Sequence, residues 1–113
     1  MAREGRGSRL GAVRRRIDRL DLQLLGLLNQ RAALALNIGR IKRRRKWPLF
    51  DARREAFVLR HVLAANRGPL SGPAVRHIFR AILRECRRRE RRASTSLSSA
   101  SRARIEGRRA ARR

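Results

Sequence analysis

Two arginines and a lysine on the first predicted helix are the residues best suited to bind an anionic ligand. Arg31 lies on the heptad line 10, 17, 24, 31, 38, whose other members are leucine or isoleucine. A guanidinium among apolar residues is costly unless an anion meets it there, so Arg31 is a candidate binding residue. Arg14 and Lys42 share the neighbouring line, but about 42 Å of helix separates them at roughly 1.5 Å per residue. One chain therefore cannot bring both to one small ligand. An antiparallel copy of the helix would bring the Arg14 of one chain towards the Arg31 and Lys42 of the other.

The element that must position these cations is a long amphipathic helix, predicted from Ser8 or Arg9 to about Arg45. Its apolar residues recur at alternating steps of three and four, a pattern typical of a long helix packed against partner helices. This apolar stripe consists of Leu10, Val13, Ile17, Leu20, Leu24, Leu27, Leu34, Ile38 and Ile41. Two short helices cannot cover so long a stripe, which is a second indication of an oligomer.

Two further helices follow, and no segment alternates as a strand would, so the sequence predicts an all-α chain of three helices. The cations at 43–46 suit the C-terminal end of the first helix, and Pro48 prevents its continuation. Asp51 is a good N-cap for a second helix that ends at 66–69, and Ser71 caps the third. The predicted inward faces are Phe57, Val58, Val62 and Ala65 on the second helix, and Val75, Ile78, Phe79, Ile82, Leu83 and Cys86 on the third, with Glu90 one turn further.

Size and composition limit the class of protein. The 113 residues allow one domain, and 32 Lys and Arg against 8 acids give a formal charge of +24. Residues 1–8 and the arginine- and serine-rich 92–113 have too few apolar residues to form a core, so we predict disorder there, around a helical domain at 9–91. The single Cys86 excludes an internal disulfide framework. Since neither a signal peptide nor a membrane-spanning run is present, we predict a cytoplasmic protein.

Five spaced motifs carry a more specific signal than any one residue. They are Arg14-x-x-Ile17-Asp18-x-x-Asp21, Leu24-Leu25-x-Leu27-Leu28-x-x-Arg31, Ile38-Gly39-x-x-Lys42, Pro48-x-x-Asp51-x-x-Arg54-Glu55 and Ile78-Phe79-x-x-Ile82. From about residue 10 to residue 90 the chain resembles the all-helical chorismate mutases. The resemblance implies an intertwined antiparallel homodimer whose two sites are shared between subunits. It also implies the Claisen rearrangement of chorismate to prephenate in phenylalanine and tyrosine biosynthesis, a unimolecular step that needs no nucleophile, metal or cofactor.

The resemblance implies that cationic residues bind the dianionic substrate. Arg14 of one subunit and Arg31 of the other would bind its carboxylates, which guanidinium groups can do bidentately. Lys42 would contact the ether oxygen and a carboxylate together. Arg54 would support this binding from the second helix.

The resemblance also implies roles for four less basic positions. The backbone near Asp51 and the side chain of Glu55 would bind the substrate hydroxyl. Glu90 lies where the family has a Gln or Glu that donates to the ether oxygen, and a glutamate can donate only when it is protonated. Cys86 replaces a serine that touches a carboxylate in the better-known bacterial members. A thiol is a weaker donor, so this contact is lost or moves to the backbone.

Two other functions remain open at this point. An isochorismate-pyruvate lyase shares the fold and the cationic site, but its substrate carries the hydroxyl at a different ring carbon, so a carboxylate at Glu55 favours the mutase. The net charge alone suggests a basic helical nucleic-acid-binding protein. One Trp, three Phe and no Tyr offer few stacking surfaces, which leaves weak nucleic-acid contact through the basic tail as an additional property.

Structural explanations compete with several of these roles. Glu55 is also an acid favoured at a helix N-terminus, and Glu90 would pass as a surface carboxylate. Apart from Arg14, the arginine runs 14–16, 43–46 and 87–92 are predicted to be mostly solvated faces.

Overall fold

The computed structural model describes the backbone of residues 2–111 and the side chains of residues 7–92. It contains three helices, which are α1 (Ala2–Arg44), α2 (Ala52–Ala65) and α3 (Gly72–Ala111). Between residues 2 and 111 there is no strand, so the predicted all-α class and the three-helix order are confirmed. The chain divides into two compact units, Met1–Arg31 and Ala32–Arg113.

The end of α1 is a sharp reversal built by two backbone hydrogen bonds. Trp47 N donates to Lys42 O at 2.8 Å, and Lys46 N donates to Arg43 O at 3.1 Å. These are the two bonds of a Schellman motif, which requires a left-handed residue after the helix. Lys46 occupies that position with φ 57, although glycine is the usual residue there. The reversal directs the connector back towards the last turn of α1.

Side-chain caps begin the other two helices as the sequence predicts. Asp51 Oδ1 accepts from Arg54 N at 3.0 Å, and Ser71 Oγ accepts from Ala74 N at 3.2 Å. Between the two helices, Asn66 closes the loop, since its Nδ2 donates to Leu70 O at 2.8 Å. Both predicted N-caps are therefore confirmed.

Two helices are longer than the sequence predicts. The backbone is helical from Ala2 and as far as Ala111, where we expect disorder at 1–8 and 92–113. Arginine and alanine are strong helix formers, so extending an existing helix through such segments costs little free energy. The domain limits of 9–91 stay a prediction. Over the described residues, none of the helices is both long and apolar enough to cross a membrane.

Among residues 7–92, whose side chains the structure describes, burial is confined to the second unit. Its buried apolar residues are Ala35, Val58, Val75, Leu83 and Cys86, and α2 packs against α3. The predicted inward residues Phe57, Ala65 and Ile78 are instead exposed in the single chain. Val58 lies on the side of α2 that packs on α3, whereas the adjacent Phe57 points about 100° away around the helix.

Candidate functional site

The C-terminal end of α1 and the start of α2 border an open cavity of ≈ 390 Å³. Its lining residues are Lys42, Trp47, Pro48, Phe50, Asp51, Ala52 and Arg53. Lys42 is half-buried, and its Nζ donates to the Leu49 carbonyl at 2.9 Å. The reversal after α1 places this carbonyl within reach of the lysine. Because an ammonium group has three donors, Lys42 keeps capacity to bind an anion at the cavity.

Glu55, in the first turn of α2, is held from α3. Its Oε2 lies 2.9 Å from Nε of Arg87, and the Glu55 side chain is 22% exposed. The guanidinium of Arg87 also lies over the Phe50 ring, with Cζ 4.9 Å from the ring centroid. Nε itself is buried and makes no aligned hydrogen bond, so the contact is a close ion pair.

Arg87 is an exception to the mostly solvated run 87–92, because its side chain packs between a carboxylate and an aromatic ring. Helical spacing indicates the face of α3 on which Arg87 lies, although not its partners. Arg87 lies four residues after the buried Leu83 and three before Glu90, so all three share one face of α3.

Glu90 packs against the last turns of α1 at a glycine. Gly39 is buried, and a Cβ built there would lie 3.3 Å from Cγ of Glu90. That separation is tighter than ordinary van der Waals contact, so the missing side chain permits the close approach. Lys42 is one turn further along the same side of α1. Glu90 and Lys42 therefore belong to the same face of this unit.

The other predicted site residues lie in different surroundings. Arg54 is exposed, with its Cζ 5.1 Å from the centroid of the Phe57 ring. The Cys86 thiol is buried in the core of the second unit. Arg14 is exposed and Arg31 half-buried, both on α1 within the first unit. About 25 Å of helix separates them at roughly 1.5 Å per residue, so one chain does not bring these two together.

The second unit thus combines a cation, a carboxylate acceptor and an open cavity. The Lys42 ammonium can bind an anionic or ether oxygen, and the Glu55 carboxylate can accept from a hydroxyl. Among the described residues, no group of three or more His, Cys, Asp or Glu is placed to hold a metal ion. This arrangement suits the binding of a polar anion by charge and hydrogen bonds.

The chain is similar to proteins of one enzyme family. Residues 13–91 match the family model for chorismate mutase type II. The bifunctional chorismate mutase/prephenate dehydratase of Pseudomonas aeruginosa is 40% identical over 82 residues, covering 68% of this chain and 22% of that protein. The enzyme of the same name from Stutzerimonas stutzeri is 37% identical over 83 residues, with the same coverage of 68% and 22%. The chain thus spans about a fifth of the length of these relatives.

A solved structure extends the similarity to the fold. Chorismate mutase (form II) from Thermus thermophilus is 32% identical, with a TM-score of 0.73, and the match covers 74% of this chain and 96% of that one. The resemblance predicted from the spaced motifs is confirmed. The family model matches residues 13–91, which is more than half of the chain and includes residues of all three helices. The chain therefore belongs to the chorismate mutase type II family.

Proposed function

We propose that this chain converts chorismate to prephenate, as an isomerase that transfers a group within one molecule in aromatic amino-acid biosynthesis. The observation that carries the proposal is the position of the half-buried Lys42. Together with Asp51, the N-cap of α2, it lines an open cavity. The chain that holds this cavity belongs to the chorismate mutase type II family. The rearrangement is unimolecular, so the protein has to hold the reactive conformer and stabilise charge where the ether bond breaks.

In this mechanism Lys42 donates to the ether oxygen as negative charge develops there. The Leu49 carbonyl already holds the ammonium, so little reorganisation is needed when the reaction occurs. The Glu55 carboxylate accepts from the substrate hydroxyl and fixes one end of the ring. Protonated Glu90, on α3, is a second donor to the ether oxygen and packs against the side of α1 that carries Lys42.

We further propose that the active enzyme is an intertwined antiparallel homodimer. No side chain from residue 7 to residue 31 is buried, and the members of the apolar stripe are between 48% and 63% exposed in the single chain. Covering a half-exposed Leu or Ile contributes on the order of 1 kcal/mol, so the stripes of two copies supply about 20 kcal/mol. This gain exceeds the cost of the lost translational and rotational freedom, which is about 4–15 kcal/mol.

The dimer would also complete the binding of the substrate carboxylates. Arg31 would bind one carboxylate, and Arg14 of the partner subunit would bind the other. Arg54 and Cys86 stay secondary candidates, Arg54 because it is exposed and Cys86 because its thiol is buried in the core. The predicted nucleic-acid contact falls on tail side chains outside the described residues.

The test is an assay of the purified chain with chorismate and, separately, isochorismate. We expect prephenate from chorismate, and pyruvate release from isochorismate without prephenate would instead identify a lyase. Lys42→Met removes the ammonium and keeps the aliphatic stem, so turnover should fall about 100-fold or more. Arg44→Met removes an exposed cation from the last turn of the same helix and should leave turnover within about two-fold. Equal turnover in the two variants would refute the role of Lys42.

A further inference from the structure

The ion pair between Glu55 of α2 and Arg87 of α3 differs from the pair that Arg88 forms with Glu85 within α3. Its atoms are 2.9 Å apart, and the two side chains are 34% and 22% exposed. Arg88 and Glu85 lie 3.5 Å apart, with side chains 57% and 60% exposed. Solvent competes for an exposed pair and leaves both side chains free to move, whereas a half-buried pair holds its partners in place. Arg87 therefore restricts Glu55 in a way that Arg88 does not restrict Glu85.

The ring of Phe50 packs against the guanidinium group of Arg87. The Arg87 Cζ lies 4.9 Å from the ring centroid, which is within the range of a cation–π contact. Phe50 lines the open cavity and directly precedes the Asp51 cap. One arginine of α3 thus connects the cavity wall with the first turn of α2.

We infer that Arg87 is a positioning residue that holds the Glu55 carboxylate for the substrate hydroxyl. Arg87 contacts Oε2, and we assign Oε1 to the substrate hydroxyl. The inference rests on the proposed function, because it concerns the hydroxyl contact assigned there to Glu55. A free glutamate side chain must lose rotamer entropy on binding, and a glutamate that is already held loses less.

The missing alignment of Nε fits this role. Nε is buried and close to Oε2, yet the hydrogen bond between them is incomplete in the free chain. Catalytic hydrogen bonds are often poorly aligned in free enzymes and tighten when substrate binds.

The experiment separates positioning from packing with a double-mutant cycle. Arg87→Met keeps a long side chain against Phe50 and removes the charge, and we expect kcat/KM for chorismate to fall about ten-fold. Combined with Glu55→Gln, the same change should add no further loss, since Arg87 acts through the Glu55 carboxylate. Arg87→Lys should recover part of the loss. Arg88→Met, the matched control, should stay within about two-fold of the wild type.

Three outcomes overturn the inference. Equal kcat/KM for Arg87→Met and Arg88→Met would show that the charge at Arg87 does not matter. The same loss in the Glu55→Gln background as in the wild type would show that Arg87 acts independently of Glu55.

If Arg87→Met does not fold, the cycle is run with Arg87→Lys, and these two criteria apply to that variant. The third outcome concerns the wild type. A wild-type chain inactive on chorismate would refute the proposed function and this inference with it, whereas an active one confines any failure to Arg87.

Discussion

Two weakened variants of this chain should regain activity when they share a dimer. Arg14 and Arg31 lie on one helix of the first unit, with about 25 Å of helix between them. A substrate the size of chorismate cannot reach both in one chain. The two arginines serve the same site only if each subunit supplies one of them, as an antiparallel dimer would arrange.

The size of each effect follows from charge and symmetry. Arg14→Ala or Arg31→Ala removes charge-assisted hydrogen bonds to a carboxylate, which are worth about 1.5–3 kcal/mol, so each should reduce kcat/KM about 10- to 100-fold. A heterodimer of the two variants has one site with both arginines and one with neither. Random reassortment of equal amounts gives about half heterodimers, so the mixture should recover about a quarter of wild-type activity.

The assay unfolds the two purified variants together, refolds them and measures prephenate formation. Native mass spectrometry of differently tagged subunits establishes that heterodimers form. Arg14→Ala refolded with a tagged copy of itself is the matched control and should recover nothing. If heterodimers form and the mixture stays as inactive as the control, the arginines are not shared between subunits and the reasoning is wrong.

Three other predictions concern Glu90, Lys46 and the end of the chain. Only protonated Glu90 can donate to the ether oxygen, so turnover should decline as pH rises, and Glu90→Gln, a permanent donor, should reduce that decline. Identical pH profiles of the two proteins would exclude the role. Lys46 has φ 57, and Lys46→Gly should raise the free energy of unfolding by about 1 kcal/mol, measured by denaturant titration at one protein concentration. Arg45→Gly, where φ is not positive, should not stabilise the chain, and equal effects would count against strain at residue 46. Truncation after Arg92 should leave kcat within a few-fold, and a large loss in a folded dimer would place the tail in the catalytic machinery.

Features that depend on near neighbours in the chain were predictable from the sequence. Asp51 and Ser71 cap their helices through hydrogen bonds to backbone groups three residues on, so residue type and position were enough. Helical periodicity was likewise enough to identify Arg31 as a cation on an otherwise apolar line of α1. The spaced motifs extended this to a family, because each combines residue types at fixed steps within one short stretch of chain.

Contacts between helices required the tertiary structure. Glu55 forms an ion pair with Arg87, and Gly39 leaves space for Glu90, only because the packed helices place these distant positions side by side. Sequence periodicity identifies the face on which a residue lies, and Arg87 lies at the edge of such a face. Whether an edge residue meets solvent, a carboxylate or a ring depends on how far each helix is rotated about its axis. Packing around Val58 and Leu83 determines that rotation, and local propensity carries no information about it.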